Sequence, residues 1–345
     1  VHITSGASST DESGSVSIQT GQSLSSNGAS GSLSLKTGEA SAGESGNLHI
    51  ISGASAQSSS GGIELSVGET EAGIGGSIEM KAGSSSASSG GHVSISSGAS
   101  EVGTSGQVAI QSGTGSSSGD ISITTGKANS MNSGSLSLKT GDAVQEGGSV
   151  SIQAGGSSTS VGGGISMVAG HSGSTDGGSI RIASGGSGTS TSGDITISTA
   201  GSESNPTSSS SSGSINLKTG TSFTDSSGGV TIETGNGMSG SAGDILFKVG
   251  ESKAGVGGSV QMQAGSSLSS TGGSIDLIGG GSAAGASGSV TIASNTGLNS
   301  GAISIQTSSA QEGHSGNIAM STGQAASGSS GRLILESGES LNGAG

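Results

Sequence analysis

Two aliphatic residues, one apart and set between two glycines, recur along the whole chain. SGSVSIQTG at 13–21 returns as SGSLSLKTG at 30–38, GGSIEMKAG at 75–83, SGDISITTG at 118–126, GGSVSIQAG at 147–155 and SGSINLKTG at 212–220. If the first aliphatic residue of each unit is position 0, there are 23 units, from Val1 to Leu333, and 17 of the 22 spacings are 15 residues. Position 0 is always Val, Ile or Leu, and position +2 is Ile, Leu or Met except at Phe247. Position −2 is Gly in all 22 units that show it, and position +5 is Gly except at Ala200, Asn295 and Ser308. Fixed-period self-similarity of this kind marks a repeat architecture.

Apolar residues at 0 and +2, with mostly polar ones at +1 and +3, form the period-2 alternation of a half-buried strand. Glycines at both ends bound it and read as sharp corners, because Gly accepts φ > 0 without a steric penalty. The remaining half of each unit is rich in Ser, Ala and Gly. Small residues at +7 and +9 suggest a second, flatter strand. Two short strands and two corners in 15 residues predict one coil of a β-solenoid. The expected fold is therefore all-β, a β-helix of about 23 stacked coils, roughly 110 Å long at the usual strand spacing. Its thin aliphatic core would be built from Val16, Ile18, Leu33, Leu35, Ile78, Met80, Ile180, Ile182, Ile245 and Phe247 and their equivalents. Its corners would be Gly14, Gly21, Gly31, Gly38, Gly178 and Gly185 and theirs. The composition alone would suit a flexible Gly/Ser linker. A linker, however, has no need of aliphatic columns held in register.

Residues 1–345 read as one continuous array. The main irregularity, 200–212, contains the only proline, Pro206, and five extra residues, so it is expected to protrude as a Ser-rich loop. Both ends are repeat-like and carry no cap. That suggests a segment of a longer array, or a subunit that stacks end to end through unpaired backbone groups.

Composition narrows the class. Aromatic residues make up 1% and charged residues 9%, too few for an ordinary globular core. The absence of cysteine excludes disulfides and thiolate metal sites. A formal charge of −14 with nine Lys and Arg argues against nucleic acid. No apolar run is long enough to span a membrane, and no signal peptide is visible. Lys36, Lys81, Lys139, Lys218 and Lys248 at +3, with Glu64, Glu79 and Asp276 at +1, read as a solvated face. Ile51, Val168, Leu246, Ile278 and Ile334 interrupt that face and suggest contact with another chain.

Candidate chemistry is sparse, and no catalytic, cofactor-binding or metal-binding residue is assigned. Of the five histidines (His2, His49, His92, His171 and His314), only His2 and His49 share a repeat position, and no Ser–His–Asp set can be placed. Acidic pairs such as Asp11-Glu12 lie in polar loop halves. Calcium-binding β-rolls need an Asp column. Here Asp120, Asp194 and Asp244 stand where most units have Ser or Asn. Fifteen-residue ice-binding β-helices share the period but need a uniform Thr face, which +1 and +3 do not supply. No N-glycosylation sequon occurs, and the dense Ser and Thr favour O-linked glycans.

Through the motif G-[SDN]-[VIL]-x-[ILM]-x-[TS]-G, the whole chain resembles the Gly/Ser-rich repeat proteins of algal and stramenopile-type protists. The resemblance implies a secreted, surface-associated protein of the surface-fibre or flagellar-hair kind, and it transfers no functional residue. The resulting expectation is a non-enzymatic structural protein, extracellular or at the cell surface, that self-associates end to end or laterally into filaments. A solenoid adhesin stalk, an ice-binding protein and a polysaccharide-acting enzyme are the alternatives.

Overall fold

The computed structural model describes residues 1–201 and 211–338. Most of the expected protruding loop at 200–212 lies outside them. Among the described residues there is no helix and no strand. This overturns the expected all-β β-solenoid, and the chain is instead low in regular secondary structure. The accessible surface, 34241 Å², supports the correction. A folded globular chain of this mass would expose about 12,000 Å² and a fully unfolded one about 46,000 Å².

The physical reason lies in the backbone hydrogen bonds. A strand is defined by a neighbour that takes up its N–H and C=O groups along a ladder. Here successive extended segments meet through at most one such bond. In eight units the Gly N–H at −2 donates to the Gly carbonyl at +5 of the unit before, as from Gly91 to Gly83 at 2.9 Å and from Gly178 to Gly170 at 2.9 Å. The bond closes the loop half into a ring of nine residues, but it does not propagate into the aliphatic segment.

The loop half bends where a second strand was expected. Chain bends fall at 86–88, 101–103 and 173–175, at +8 to +10 of their units. Where +7 is Ser its hydroxyl braces the bend, although the bend also forms after Ala40, Ala128, Ala310 and Ala325. Ser85 Oγ accepts from the Ser88 N–H at 2.9 Å, Ser100 Oγ from the Gly103 N–H at 2.9 Å, and Ser187 Oγ from the Ser190 N–H at 2.9 Å. A Ser side chain competes in this way for backbone groups that a ladder would otherwise use. A Ser at +7 is thus a turn cap, and the second, flatter strand is absent among the described residues.

The chain divides into two units, Val1–Met167 and Val168–Gly345. The same construction fills each. Closed loops run from Gly6 to Gly14 and from Gly155 to Gly163 in the first, and from Gly185 to Gly193 and from Gly280 to Gly288 in the second.

Candidate association surface

No described side chain is buried, so the residues expected to form a core do not form one. Val16, Ile18, Leu33, Leu35, Ile78, Met80, Ile180, Ile182, Ile245 and Phe247 keep between 47% (Ile245) and 72% (Phe247) of their surface exposed. Both columns are present, but none of their described residues is buried. Ile51, Val168, Leu246, Ile278 and Ile334, which interrupt the polar positions, are exposed as well.

Burial is concentrated elsewhere. Nine described residues are partly covered, and seven of them occupy position +4: Ser52, Ser112, Thr140, Ala154, Ala169, Ala264 and Gly279. In many units +4 also approaches the next −2 glycine. A Cβ built on Gly14 would lie 3.1 Å from Ser5 Cβ, and one on Gly31 would lie 3.6 Å from Thr20 Cβ. A Cβ on Gly178 would lie 3.2 Å from the Gly170 nitrogen. At Gly14, Gly76, Gly178 and Gly258 a side chain would have to displace a neighbour, whereas at Gly61 and Gly119 a Cβ meets no close contact. At +5, by contrast, Gly21, Gly38 and Gly185 face open space. The positive-φ glycines among the described residues are Gly313 and Gly328, both at +10 in the loop half. Sequence reasoning missed the +4 contact, although its signal was present: that column is almost entirely Ser, Thr or Ala.

Apolar residues of successive units meet beside Phe247. Phe247 at +2, with Val260, Gln261 and Met262 of the following unit, lines a recess of about 280 Å³. Ligand pockets are typically larger, about 300–1,000 Å³, and enclose most of a ligand. All four lining residues are exposed. The recess is best read as a gap between two neighbouring apolar ridges. Its walls show that the columns of adjacent units can run side by side.

The polar positions of one segment carry paired charge. Lys81 Nζ lies 2.6 Å from Glu79 Oε1, with both side chains largely in solvent. Such a pair adds little stability. It does balance charge within a segment. Among the described residues no three His, Asp or Glu side chains converge to hold a metal ion, and no helix is long and apolar enough to cross a membrane.

No protein-family model, characterised relative or solved structure matches the chain.

Proposed function

We propose that this chain is a structural repeat protein that self-associates into a filament or fibre outside the cell or on its surface. The observation that carries the reading is a pair of facts. Aliphatic residues hold positions 0 and +2 through 23 units, and none of the described ones is buried within its own chain. Leaving such residues in water forgoes about 25 cal/mol for each Å² that could be covered. Exposed apolar patches of this regularity mark interaction sites. A repeating surface is best matched by another repeating surface of the same period, and a second copy of the chain supplies one. The low charge and high Ser content of the segments suit an extended polymer, and O-linked glycans on the loop hydroxyls would keep it soluble.

Electron microscopy of native, undigested material tests the reading. Filaments or lateral bundles much longer than one chain are the expected result. Single dispersed chains at every concentration would refute it.

A further inference from the structure

Charge is not spread evenly over the repeat. The extended segments, taken from −2 to +5, hold seven basic and eight acidic residues. The loop halves hold two basic residues, Lys127 and Lys253, and fifteen acidic ones. Of the formal −14, the segments therefore carry −1 and the loops −13. The described loop acids, such as Glu39, Glu71, Glu101 and Asp176, are exposed.

The two halves also differ in their apolar content. The segments carry both aliphatic columns, and their near-balanced charge makes them compatible with a second copy of themselves. The loops carry only isolated apolar residues, including Leu24, Phe223 and Leu268 at +8, which are almost fully exposed. Acid-bearing loop halves, such as those of Glu39 and Glu71, would repel when brought together, while two segments would not.

Building on the self-association proposed above, we infer that copies of this chain join through the aliphatic segments, and that the loop halves face outward as an anionic fringe. The fringe gates assembly by ionic strength. At about 10 mM salt the Debye length is about 30 Å and the fringes of approaching copies feel one another, whereas at about 150 mM it falls to about 8 Å and contact at the segments can proceed. Charge placement sets the register: like charges brought opposite one another in a segment interface disfavour it.

Two variants with the same net charge separate placement from total charge. The loop variant carries Glu39→Gln, Glu44→Gln, Glu69→Gln, Glu71→Gln and Glu101→Gln. The segment variant carries Glu64→Gln, Glu79→Gln, Glu233→Gln, Asp276→Asn and Glu336→Gln, and leaves the segments with a positive excess. The onset concentration for assembly of the native chain and both variants is measured by light scattering across a sodium chloride series. The inference predicts that the loop variant lowers the low-salt onset by on the order of tenfold and flattens its salt dependence, while the segment variant raises the onset. Equal shifts in both variants would mean that net charge alone governs, which overturns the outward fringe but leaves self-association standing. Failure of the native chain to assemble at any salt concentration would overturn both. A magnesium chloride arm at matched ionic strength completes the test. Screening predicts the same onset as sodium chloride, and a much lower onset with magnesium would show cation bridging between loops and overturn the gating by repulsion.

Discussion

The Gly91 N–H donates to the Gly83 carbonyl oxygen at 2.9 Å, and the equivalent pair in the preceding unit, Gly76 and Gly68, makes no such bond. The difference follows position +4. The eight closed loops have Ser5, Ala82, Ser97, Ala154, Ala169, Ser184, Ala264 or Gly279 there. No described unit with Thr or Val at +4 closes. A β-branched side chain places a Cγ against the next −2 glycine: a Cβ on Gly76 would lie 2.7 Å from Val67 Cγ1, and one on Gly258 2.8 Å from Val249 Cγ1. The branch wedges the loop open. In one Thr unit the hydroxyl compensates, with Thr140 Oγ1 donating to the Gly148 carbonyl at 3.1 Å. Of the three small-residue units that stay open, those of Ser112 and Ser294 are two residues short. Nothing in the structure explains the third, at Ser52.

Exchanging the +4 residue should therefore switch loop closure. Ala82→Thr is expected to break the Gly91–Gly83 bond, and Thr37→Ala to allow one between Gly46 and Gly38. A net backbone hydrogen bond is worth about 1 kcal/mol, so amide exchange at Gly91 should quicken, and that at Gly46 slow, by roughly fivefold. Unchanged exchange at both sites would remove the wedge explanation.

The −2 glycines should differ in their tolerance of a side chain. Gly76→Ala and Gly258→Ala meet a Cγ below 3 Å, whereas Gly61→Ala meets only Ser52 Cβ at 4.0 Å. The first two should shift backbone resonances of the flanking loop, and the third should not. The order of the three, read by chemical-shift change at residues 67–76, 249–258 and 52–61, checks the close approach.

Loss of a +7 cap should loosen one bend and nothing else. Ser85 accepts from the Ala87 N–H at 3.3 Å and the Ser88 N–H at 2.9 Å. Ser85→Ala is expected to raise exchange at Ser88 severalfold, in line with the roughly 1 kcal/mol of a side-chain cap. Exchange at Gly91 should change much less. Equal effects at both amides would mean that cap and closure form one cooperative unit.

In dilute solution the single chain should give a far-ultraviolet circular dichroism spectrum without a strand minimum, and it should melt without a cooperative transition. Two-state melting requires a packed core, and the described residues have none. A sharp melt from a monomer with strong strand signal would restore a folded β structure.

The repeat, its period and the register of its columns are legible in the sequence, because they depend only on residue identity. The alternation at Val16 and Ile18 states which side chains share a face of an extended segment. It does not state whether another segment lies at ladder distance, which the loop decides. The loop bends whether +7 is Ser, as at Ser85, or Ala, as at Ala40, and a small residue there suits a bend and a small strand position equally well by composition. The apolar columns themselves were legible in the sequence, but they were read as an interior, and the described ones are exposed. The columns stay exposed whether the following loop closes, as after Ile78, or stays open, as after Leu33, because neither arrangement brings a second segment to ladder distance.

Sedimentation of the native chain beside a column-less variant tests the central claim most directly. The variant carries Ile78→Ser, Met80→Ser, Val93→Ser, Ile95→Ser, Val108→Ser and Ile110→Ser, which removes both columns from three successive units. Covering these side chains is worth about 1 kcal/mol or more each, so the account predicts large assemblies from the native chain and an onset concentration higher by at least about tenfold in the variant. Assembly of the two chains at the same concentration would contradict it, since the aliphatic columns would then not be the joining surface.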